Sequence, residues 1–233
     1  MRNISYYEIV EGTHTKQLHS GLPASHLRGY KQINAPAGHP ELADYQYLGP
    51  VIVATKGRPV RIKLINQLPT GTAGNLPFPV DHTYMGAEGN TDNRAALHLH
   101  GGNTPWISDG TPRQWAKPAG EAGPNKGVSA ANVPDMWFDA SGNVVAAVSV
   151  PADPVAAGLS NDPGPGALSF FYTNDQSARL MFYHDHAMGI TRLNVYDGMA
   201  AGYVLQDPTE QALVADDTGC IIPRGSFLGY QWY

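Results

Sequence analysis

The alternation of apolar and polar residues along the chain predicts short β-strands. The clearest case is residues 49–66, where two runs rich in β-branched residues flank a Lys-Gly turn and predict a pair of adjacent strands. The apolar residues of the second run are expected to face inward and its basic residues outward, because successive side chains on a strand point to opposite faces. The inward residues are Val60, Ile62 and Leu64, and the outward ones are Arg61 and Lys63.

Similar apolar runs predict the rest of the strands, and no amphipathic helix of three turns is apparent. These strands are expected at residues 5–10 (resuming toward Lys31), 143–150, 166–172, 178–184 and 199–205. Residues 69–93 and a long insertion at residues 112–165 are rich in turn-forming residues and predict loops. Many short strands separated by Gly and Pro are typical of an all-β sandwich or Greek-key barrel.

Composition narrows the partners that this fold is expected to have. Charged residues make up only 15% of the chain, and it contains 26 Gly and 19 Pro, whereas an average soluble domain has about 25% charged residues. This composition favours long irregular loops and a surface that another protein covers. The net charge of −5, without a basic run, argues against nucleic acid. No apolar stretch approaches the ~20 residues of a membrane span.

Two histidine pairs carry the candidate chemistry: His98 with His100, and His184 with His186. On a strand, residues i and i+2 point to the same face, so each pair aims two imidazoles at one side of a sheet. If the two strands are neighbours, four imidazoles converge, and such a set without thiolate or carboxylate suggests copper or zinc. A single pair arises easily by chance on a polar strand face, so the hypothesis depends on both pairs together.

The single cysteine, Cys220, excludes an internal disulfide and a Cys-x-x-Cys metal site. A type 1 (blue) copper needs a cysteine thiolate with two histidines. No histidine follows His186 in the sequence, so we expect Cys220 to be a small buried apolar residue. The remaining histidines stand alone and are expected to be surface or hydrogen-bonded residues; they are His14, His19, His26, His39 and His82.

Residues 96–110 (ALHLHGGNTPWISDG) and 182–203 (FYHDHAMGITRLNVYDGMAAGY) resemble the first two copper motifs of multicopper oxidases. The sequence of both motifs is similar to the branch that contains spore-coat laccase, bilirubin oxidase and phenoxazinone synthase. Residues 109–115 most resemble phenoxazinone synthase. The resemblance implies a cupredoxin-like Greek-key barrel over residues 1–208 that contains the 112–165 insertion. Residues 209–233 form a divergent tail that matches nothing in the family.

In that family, a type 1 copper passes electrons from a substrate to a trinuclear copper cluster that reduces O2 to water, and eight histidines in four pairs hold the cluster. By position, His98 resembles the type 2 copper ligand, while His100, His184 and His186 resemble type 3 ligands. Asp109 matches an acidic residue beside the cluster. It either relays protons or simply forms the turn before Gly110, and both roles are compatible.

Other residues near the motifs have plainer expected roles. Asp185 lies between two ligand positions and should point to the opposite strand face, as a structural residue or one that supports the ligands, and not as a ligand itself. Trp106 and Trp115 are expected to be packing residues, and Met188 and Met199 are expected to be buried apolar residues instead of copper ligands.

The resemblance predicts that this chain is the copper-binding amino-terminal part of a laccase-like oxidase and supplies half of the trinuclear cluster. The type 1 copper would come from a second chain or a missing carboxyl-terminal cupredoxin half, although self-association is an alternative. O2 and a small aromatic reductant (a phenol, an aminophenol or a bilirubin-like compound) are the expected substrates. The alternative is a truncated, non-catalytic copper-binding or scaffold module.

The amino terminus lacks the apolar run of a secretory signal. A cytoplasmic or spore-coat-like location is therefore expected unless a leader was removed.

Overall fold

A computed structural model describes residues 4–215, and most of its regular structure is β-strand. The strands are β1 (Ser5–Lys16), β2 (Ser25–Gln32), β3 (Ile52–Thr55), β4 (Val60–Asn66), β5 (His98–His100), β6 (Ala167–Tyr172), β7 (Arg179–His184) and β8 (Ala200–Gln206). They form two four-stranded sheets, so the prediction of an all-β sandwich is confirmed.

The first sheet has the order β2-β1-β4-β6 and the second has the order β3-β8-β7-β5. In the first sheet β1 runs parallel to β4, and the other two neighbouring pairs are antiparallel. In the second sheet β3 runs parallel to β8, and β7 is antiparallel to both β8 and β5. The short strand β5 therefore lies at the edge of the second sheet and begins and ends with a histidine.

The main core lies between the two sheets, and alternate residues of nearly every strand enter it. The first sheet contributes Ile9, Tyr30, Val60, Ile62, Leu64, Leu168, Phe170 and Tyr172. The second contributes Ile52, Ala54, Leu99, Met181, Tyr183, Ala201, Tyr203 and Leu205. The prediction that the apolar residues of β4 face inward is thus confirmed. Because Leu99 and Tyr183 point into this core, their neighbours on β5 and β7 point out of it.

Strands β3 and β4 do not pair with each other, so the predicted hairpin at residues 49–66 is wrong. β3 pairs with β8 in one sheet, and β4 pairs with β1 and β6 in the other. The two strands bury apolar residues in the core from opposite sides, and the turn between them carries the chain across the sandwich. The alternation of residue types is the same for a hairpin and for such a crossing.

The outer face of β4 is also covered, which corrects the expectation that Lys63 faces solvent. Lys63 is buried, with its ammonium 5.1 Å from the centre of the Phe138 ring and hydrogen-bonded to the carbonyl of Gly142. Arg61 forms an ion pair with Asp135 on the same face. All three partners belong to the 112–165 insertion, which folds back over the first sheet.

The strand predicted at residues 143–150 is wrong as well. This part of the insertion contains one isolated bridge between Phe138 and Val144 and a 3-10 helix at Ala147–Ser149, with Val148 exposed. Within residues 4–215 this segment belongs to neither sheet, and the backbone N–H of Val145 donates to the carbonyl of Trp137 in the same insertion. The insertion is held instead by a small apolar cluster of Val133, Met136 and Phe138.

The helices of the described residues are short. They are α1 (Thr191–Tyr196), α2 (Pro208–Ala215) and 3-10 helices at Pro40–Ala43, Gly71–Gly74, Trp106–Ser108 and Ala147–Ser149. Within residues 4–215, no helix has the length and apolar character needed to cross a membrane. Helix α2 begins the predicted tail, whereas Cys220 and the rest of the tail lie outside the described residues.

Candidate metal centre

The pairing of β5 with β7 brings three of the predicted ligands together. In the antiparallel register His98 faces His184, and His100 faces Phe182. Because His98 and His100 are two residues apart, both rings lie on the face that His184 also occupies. One ring nitrogen from each of the three histidines lies within 4.8 Å of the others.

His186 reaches the same place by a different route than expected. Strand β7 ends at His184, so His186 lies beyond the sheet and the prediction that it sits on the strand is wrong. Its ring nevertheless stacks on that of His98, with 4.7 Å between centroids and an interplanar angle of 21°. Its centroid is 5.6 Å from that of His184. The fold therefore gathers all four predicted imidazoles.

Backbone carbonyl groups fix which nitrogen of three of these rings can bind a metal. The Nδ1 atom of His98 lies 2.5 Å from the carbonyl of Asp109, and that of His186 lies 3.0 Å from the carbonyl of Gly110. The Nδ1 of His184 lies 2.5 Å from the carbonyl of Asp185. A carbonyl oxygen only accepts hydrogen bonds, so each Nδ1 carries a proton, and in the neutral ring Nε2 is the nitrogen with the lone pair. Metal-binding histidines use this arrangement almost always.

The turn at Asp109-Gly110 was predicted, but the role of its backbone was not: its two carbonyls orient His98 and His186. The turn follows the 3-10 helix Trp106–Ser108 and packs against the backbone before β5. Gly110 has φ +67°, and a Cβ there would lie 1.8 Å from the carbonyl oxygen of Leu97. Only glycine fits this position. The Asp-Gly dipeptide was visible in the sequence, but the acceptor role of its backbone was not.

The side chain of Asp109 lies beside the cluster, within ion-pair distance of one imidazole but too far from it for a hydrogen bond. Its carboxylate accepts a hydrogen bond from the Thr104 hydroxyl at 3.0 Å and lies 3.6 Å from Nδ1 of His98. Its backbone caps the 3-10 helix Trp106–Ser108. The turn-forming role is therefore visible in the structure, while proton relay stays a prediction.

Burial keeps the imidazoles of His184 and His186 neutral. It lowers the pKa of His184 to about 4, and the neighbouring rings of His98, His186 and His100 act in the same direction. The pKa of His186 is lowered for the same reasons, with burial as the largest cause. A neutral imidazole is the metal-binding form, so both side chains are ready to act as ligands at neutral pH.

An aromatic ring forms one wall of the cluster. Phe182 stacks on His100 with 4.6 Å between centroids and an interplanar angle of 16°, and it lies 5.2 Å from His184.

Trp106 is 72% exposed, so its predicted packing role is wrong. Trp115 does pack, with the Arg94 guanidinium 5.3 Å from its ring centroid.

The residues to which no ligand role was assigned stay outside the cluster within the described part of the chain. Met199 is buried, as expected, and Met188 is half-buried against Gly86. The five lone histidines lie elsewhere. His26 is exposed, His39 is half-buried, and His14 stacks on Tyr45.

The donor set fits copper. The described residues bring together imidazoles with an aromatic neighbour and no cysteine, because the chain's only cysteine is Cys220. Imidazole nitrogens suit copper, zinc, iron and nickel. The geometry alone favours a metal centre with histidine ligands and does not rank these metals.

Comparison with known proteins narrows the choice of metal. No family model matches the chain. It is 29% identical over 213 residues to the laccase of Bacillus subtilis, covering 90% of this chain and 31% of that protein. It is 54% identical over 50 residues to the bilirubin oxidase of Albifimbria verrucaria, covering 21% of this chain and 9% of that protein. The chain therefore spans about a third of the length of the laccase.

A solved structure shows the same fold. The McoA multicopper oxidase of Aquifex aeolicus superposes with a TM-score of 0.51 at 18% identity, covering 90% of this chain and 28% of that one. The predicted cupredoxin-like fold is thereby confirmed. The similarity extends over nearly the whole of this chain and corresponds to the amino-terminal domain of these oxidases.

Proposed function

We propose that this chain, a relative of the amino-terminal domain of multicopper oxidases, binds copper through His98, His100, His184 and His186. The observation that carries the proposal is the arrangement of the four rings. They meet at one end of the second sheet, and backbone carbonyls accept hydrogen bonds from Nδ1 of His98, His184 and His186, so Nε2 is the nitrogen that each of these rings would offer to a metal. Bound copper would supply the redox centre at which O2 is reduced.

The protein orients the imidazole ligands and keeps a buried one of them unprotonated. The carbonyls of Asp109 and Gly110 hold His98 and His186, and burial keeps His184 unprotonated. By family position, His98 would bind the type 2 copper and the other three histidines would bind type 3 copper.

The experiment measures copper bound per chain after loading and removal of excess metal. Replacing His100 and His184 with Ala should abolish stoichiometric copper uptake, because the remaining two rings cannot hold the ion with comparable affinity. The matched control replaces His26, which is exposed, and His39, which is half-buried; neither belongs to the cluster. Equal losses in both double variants would contradict the assignment.

We further propose that the chain acts as one half of a laccase-like oxidase. The alignment with the laccase relative covers only 31% of that protein, and the sequence offers two of the four histidine pairs that the family uses. The other two pairs and the type 1 copper would come from a carboxyl-terminal cupredoxin half, on the same or a second polypeptide. Phenols, aminophenols and bilirubin-like compounds are the proposed reductants.

Asp109 is proposed to relay protons to the site, since its carboxylate lies 3.6 Å from the His98 ring and O2 reduction consumes protons. In the completed oxidase, Asp109→Asn should slow O2 reduction while copper content is unchanged. The backbone carbonyl that holds His98 is retained in this variant. Unchanged turnover would leave Asp109 with its structural role in the turn.

A non-catalytic copper-binding or scaffold module is the second candidate. The observation that favours it is the absence of cysteine from the described residues. Oxygen consumption with an aminophenol distinguishes the two functions: the oxidase half should turn over when the carboxyl-terminal half is supplied, and a scaffold module should not.

A further inference from the structure

One buried carboxylate accepts hydrogen bonds from both segments that carry the histidine pairs. Asp185 lies between His184 and His186 and is fully buried. Its Oδ1 accepts a hydrogen bond from the backbone N–H of Ala96 at 2.9 Å, and its Oδ2 accepts one from Ala187 at 3.0 Å. Ala96 precedes the first histidine pair by two residues, and Ala187 directly follows the second pair. A single side chain therefore crosslinks both segments.

Asn194 of α1 holds this carboxylate in place. Its Nδ2 donates to Oδ2 of Asp185 at 2.9 Å, and its Oδ1 accepts from Nη1 of Arg28 at 2.5 Å. Arginine only donates hydrogen bonds, so the amide of Asn194 can have only one orientation, with its NH2 group toward Asp185.

Arg28 is in turn anchored on several sides, which makes the arrangement rigid. Its guanidinium donates to the carbonyls of Asp92 at 2.9 Å and Gly74 at 2.7 Å, and its Nε lies 3.6 Å from the Asp197 carboxylate. Arg28 and Asp197 are both buried. The resulting chain of contacts runs from β2 through α1 to the carboxylate between the two histidines.

We propose that Asp185, held by Asn194 and Arg28, is a positioning residue that sets the spacing between the two histidine pairs. The sheet alone cannot set it, because β5 is an edge strand with only three residues paired to β7, and His186 lies beyond that ladder. The carboxylate supplies the connection that the short ladder lacks. This inference rests on the proposed copper site and names a residue that acts through the ligands.

The principal test measures the copper affinity and the copper electron paramagnetic resonance spectrum of the whole chain. Asp185→Asn keeps the volume but turns an NH2 group toward one of the three donors, and we expect a loss of about 10- to 100-fold in affinity, with an altered spectrum. Asn194→Leu leaves both backbone bonds to Asp185 and should give a smaller loss. If Asp185→Asn does not fold, the same measurements on Asn194→Leu provide the test.

A matched control separates positioning from general stability. Ser169 is buried in the first sheet, and its hydroxyl accepts a hydrogen bond from the backbone N–H of Val133 at 3.0 Å. Ser169→Ala therefore also removes a buried side-chain acceptor from a backbone N–H. It should lower the thermal midpoint while copper affinity and spectrum stay unchanged. Equal affinity and spectra in wild type and Asp185→Asn would overturn the proposal.

A reciprocal exchange tests the pairing itself. In the double variant Asp185→Asn with Asn194→Asp, the new amide can donate to the new carboxylate, which also receives Arg28. Copper affinity should recover part of the loss seen with Asp185→Asn alone. No recovery would contradict the role assigned to Asn194.

Amide hydrogen exchange of the metal-free chain distinguishes failure of this inference from failure of the copper site. Asp185→Asn should accelerate exchange at Ala96 and Ala187, and Ser169→Ala should not. If the wild-type chain binds no copper, the proposed function fails, and the crosslink is judged on exchange alone. Unchanged protection at both amides would overturn it.

Discussion

At the scale of single residues, Gly110 shows how strongly the site depends on its backbone. A side chain at this position meets two separate obstacles, a φ of +67° and a Cβ only 1.8 Å from the Leu97 carbonyl. Gly110→Ala should therefore lower stability and copper uptake together, because the turn that carries the carbonyls for His98 and His186 must move. Copper stoichiometry and thermal unfolding measure the effect.

Gly120 offers a matched control for this prediction. It also has a positive φ, +87°, but nothing lies within 4 Å of the position that a Cβ would take. Gly120→Ala should cost only the backbone strain, about 1–2 kcal/mol, and leave copper uptake intact. Similar behaviour of the two variants would show that the close approach at Gly110 is unimportant.

Glu11 should make the stability of the fold depend on pH. It is fully buried on β1, and neither carboxylate oxygen has a hydrogen-bond partner within residues 4–215. Burial raises its pKa well above the usual value, the Asp185 carboxylate adds to this, and Arg28 opposes it. The folded state therefore keeps the proton to a higher pH than the unfolded state does. The contribution of Glu11 to stability should therefore fall as pH rises above its ordinary pKa of 4.5, by up to ~1.4 kcal/mol per pH unit.

Glu11→Gln tests this, because glutamine does not titrate. The free energy of unfolding in urea should favour the variant over wild type increasingly as pH rises from 4.5 to 8. Glu88→Gln, at an exposed position, is the control and should show no such trend. Parallel pH profiles for Glu11→Gln and wild type would mean that Glu11 is ionised in the folded protein.

At the scale of elements, the sequence predicts what depends on local alternation and misses what depends on long-range contact. Most predicted strands exist, and the inward positions of β4 are correct, because burial of one face imposes a period of two. The partner of a strand is not encoded in that period. Residues 49–66 therefore looked like a hairpin, although β3 and β4 belong to different sheets.

The errors in side-chain environment have the same origin. Lys63 looked exposed because it is charged, yet the insertion supplies Phe138 and a carbonyl of Gly142 on that face. At the metal centre, the identity of the four histidines was readable from motifs, and strand geometry accounts for three of them. His186 joins them from beyond the end of β7. The roles of Gly110 and Asn194 arise from contacts between segments that are distant in sequence.

At the scale of the whole molecule, the histidine cluster opens on an apolar surface. Leu180 and Phe182 alternate with buried residues along β7, and Leu180 is 77% exposed. Phe182 is partly exposed beside the exposed ring of His100. Water would reach a metal bound there from this side. A facing domain would bury the apolar side chains and enclose the metal, which agrees with the chain's low content of charged residues.

The prediction at this scale is that the copper-loaded chain acts in an assembly and is not blue alone. A thiolate-bound copper needs a cysteine with two histidines, and no histidine lies after His186 to accompany Cys220. An intense thiolate-to-copper absorption band should therefore appear only when a carboxyl-terminal cupredoxin half is present. In a native extract, the species that carries this chain should exceed 25.0 kDa.

Sedimentation velocity of the chain mixed with that half, with and without Leu180→Ser, measures the association. Leu180→Ser should weaken binding, because it removes apolar area from the interface, yet it should leave copper uptake unchanged, since Leu180 contributes no ligand. Val128→Ser, at another exposed position, is the control and should bind normally.

A homodimer would offer four histidine pairs but still lack the blue copper, so a heterologous partner is expected to restore turnover. A copper-loaded monomer that is blue by itself, with no partner in the native extract, would contradict the assembly.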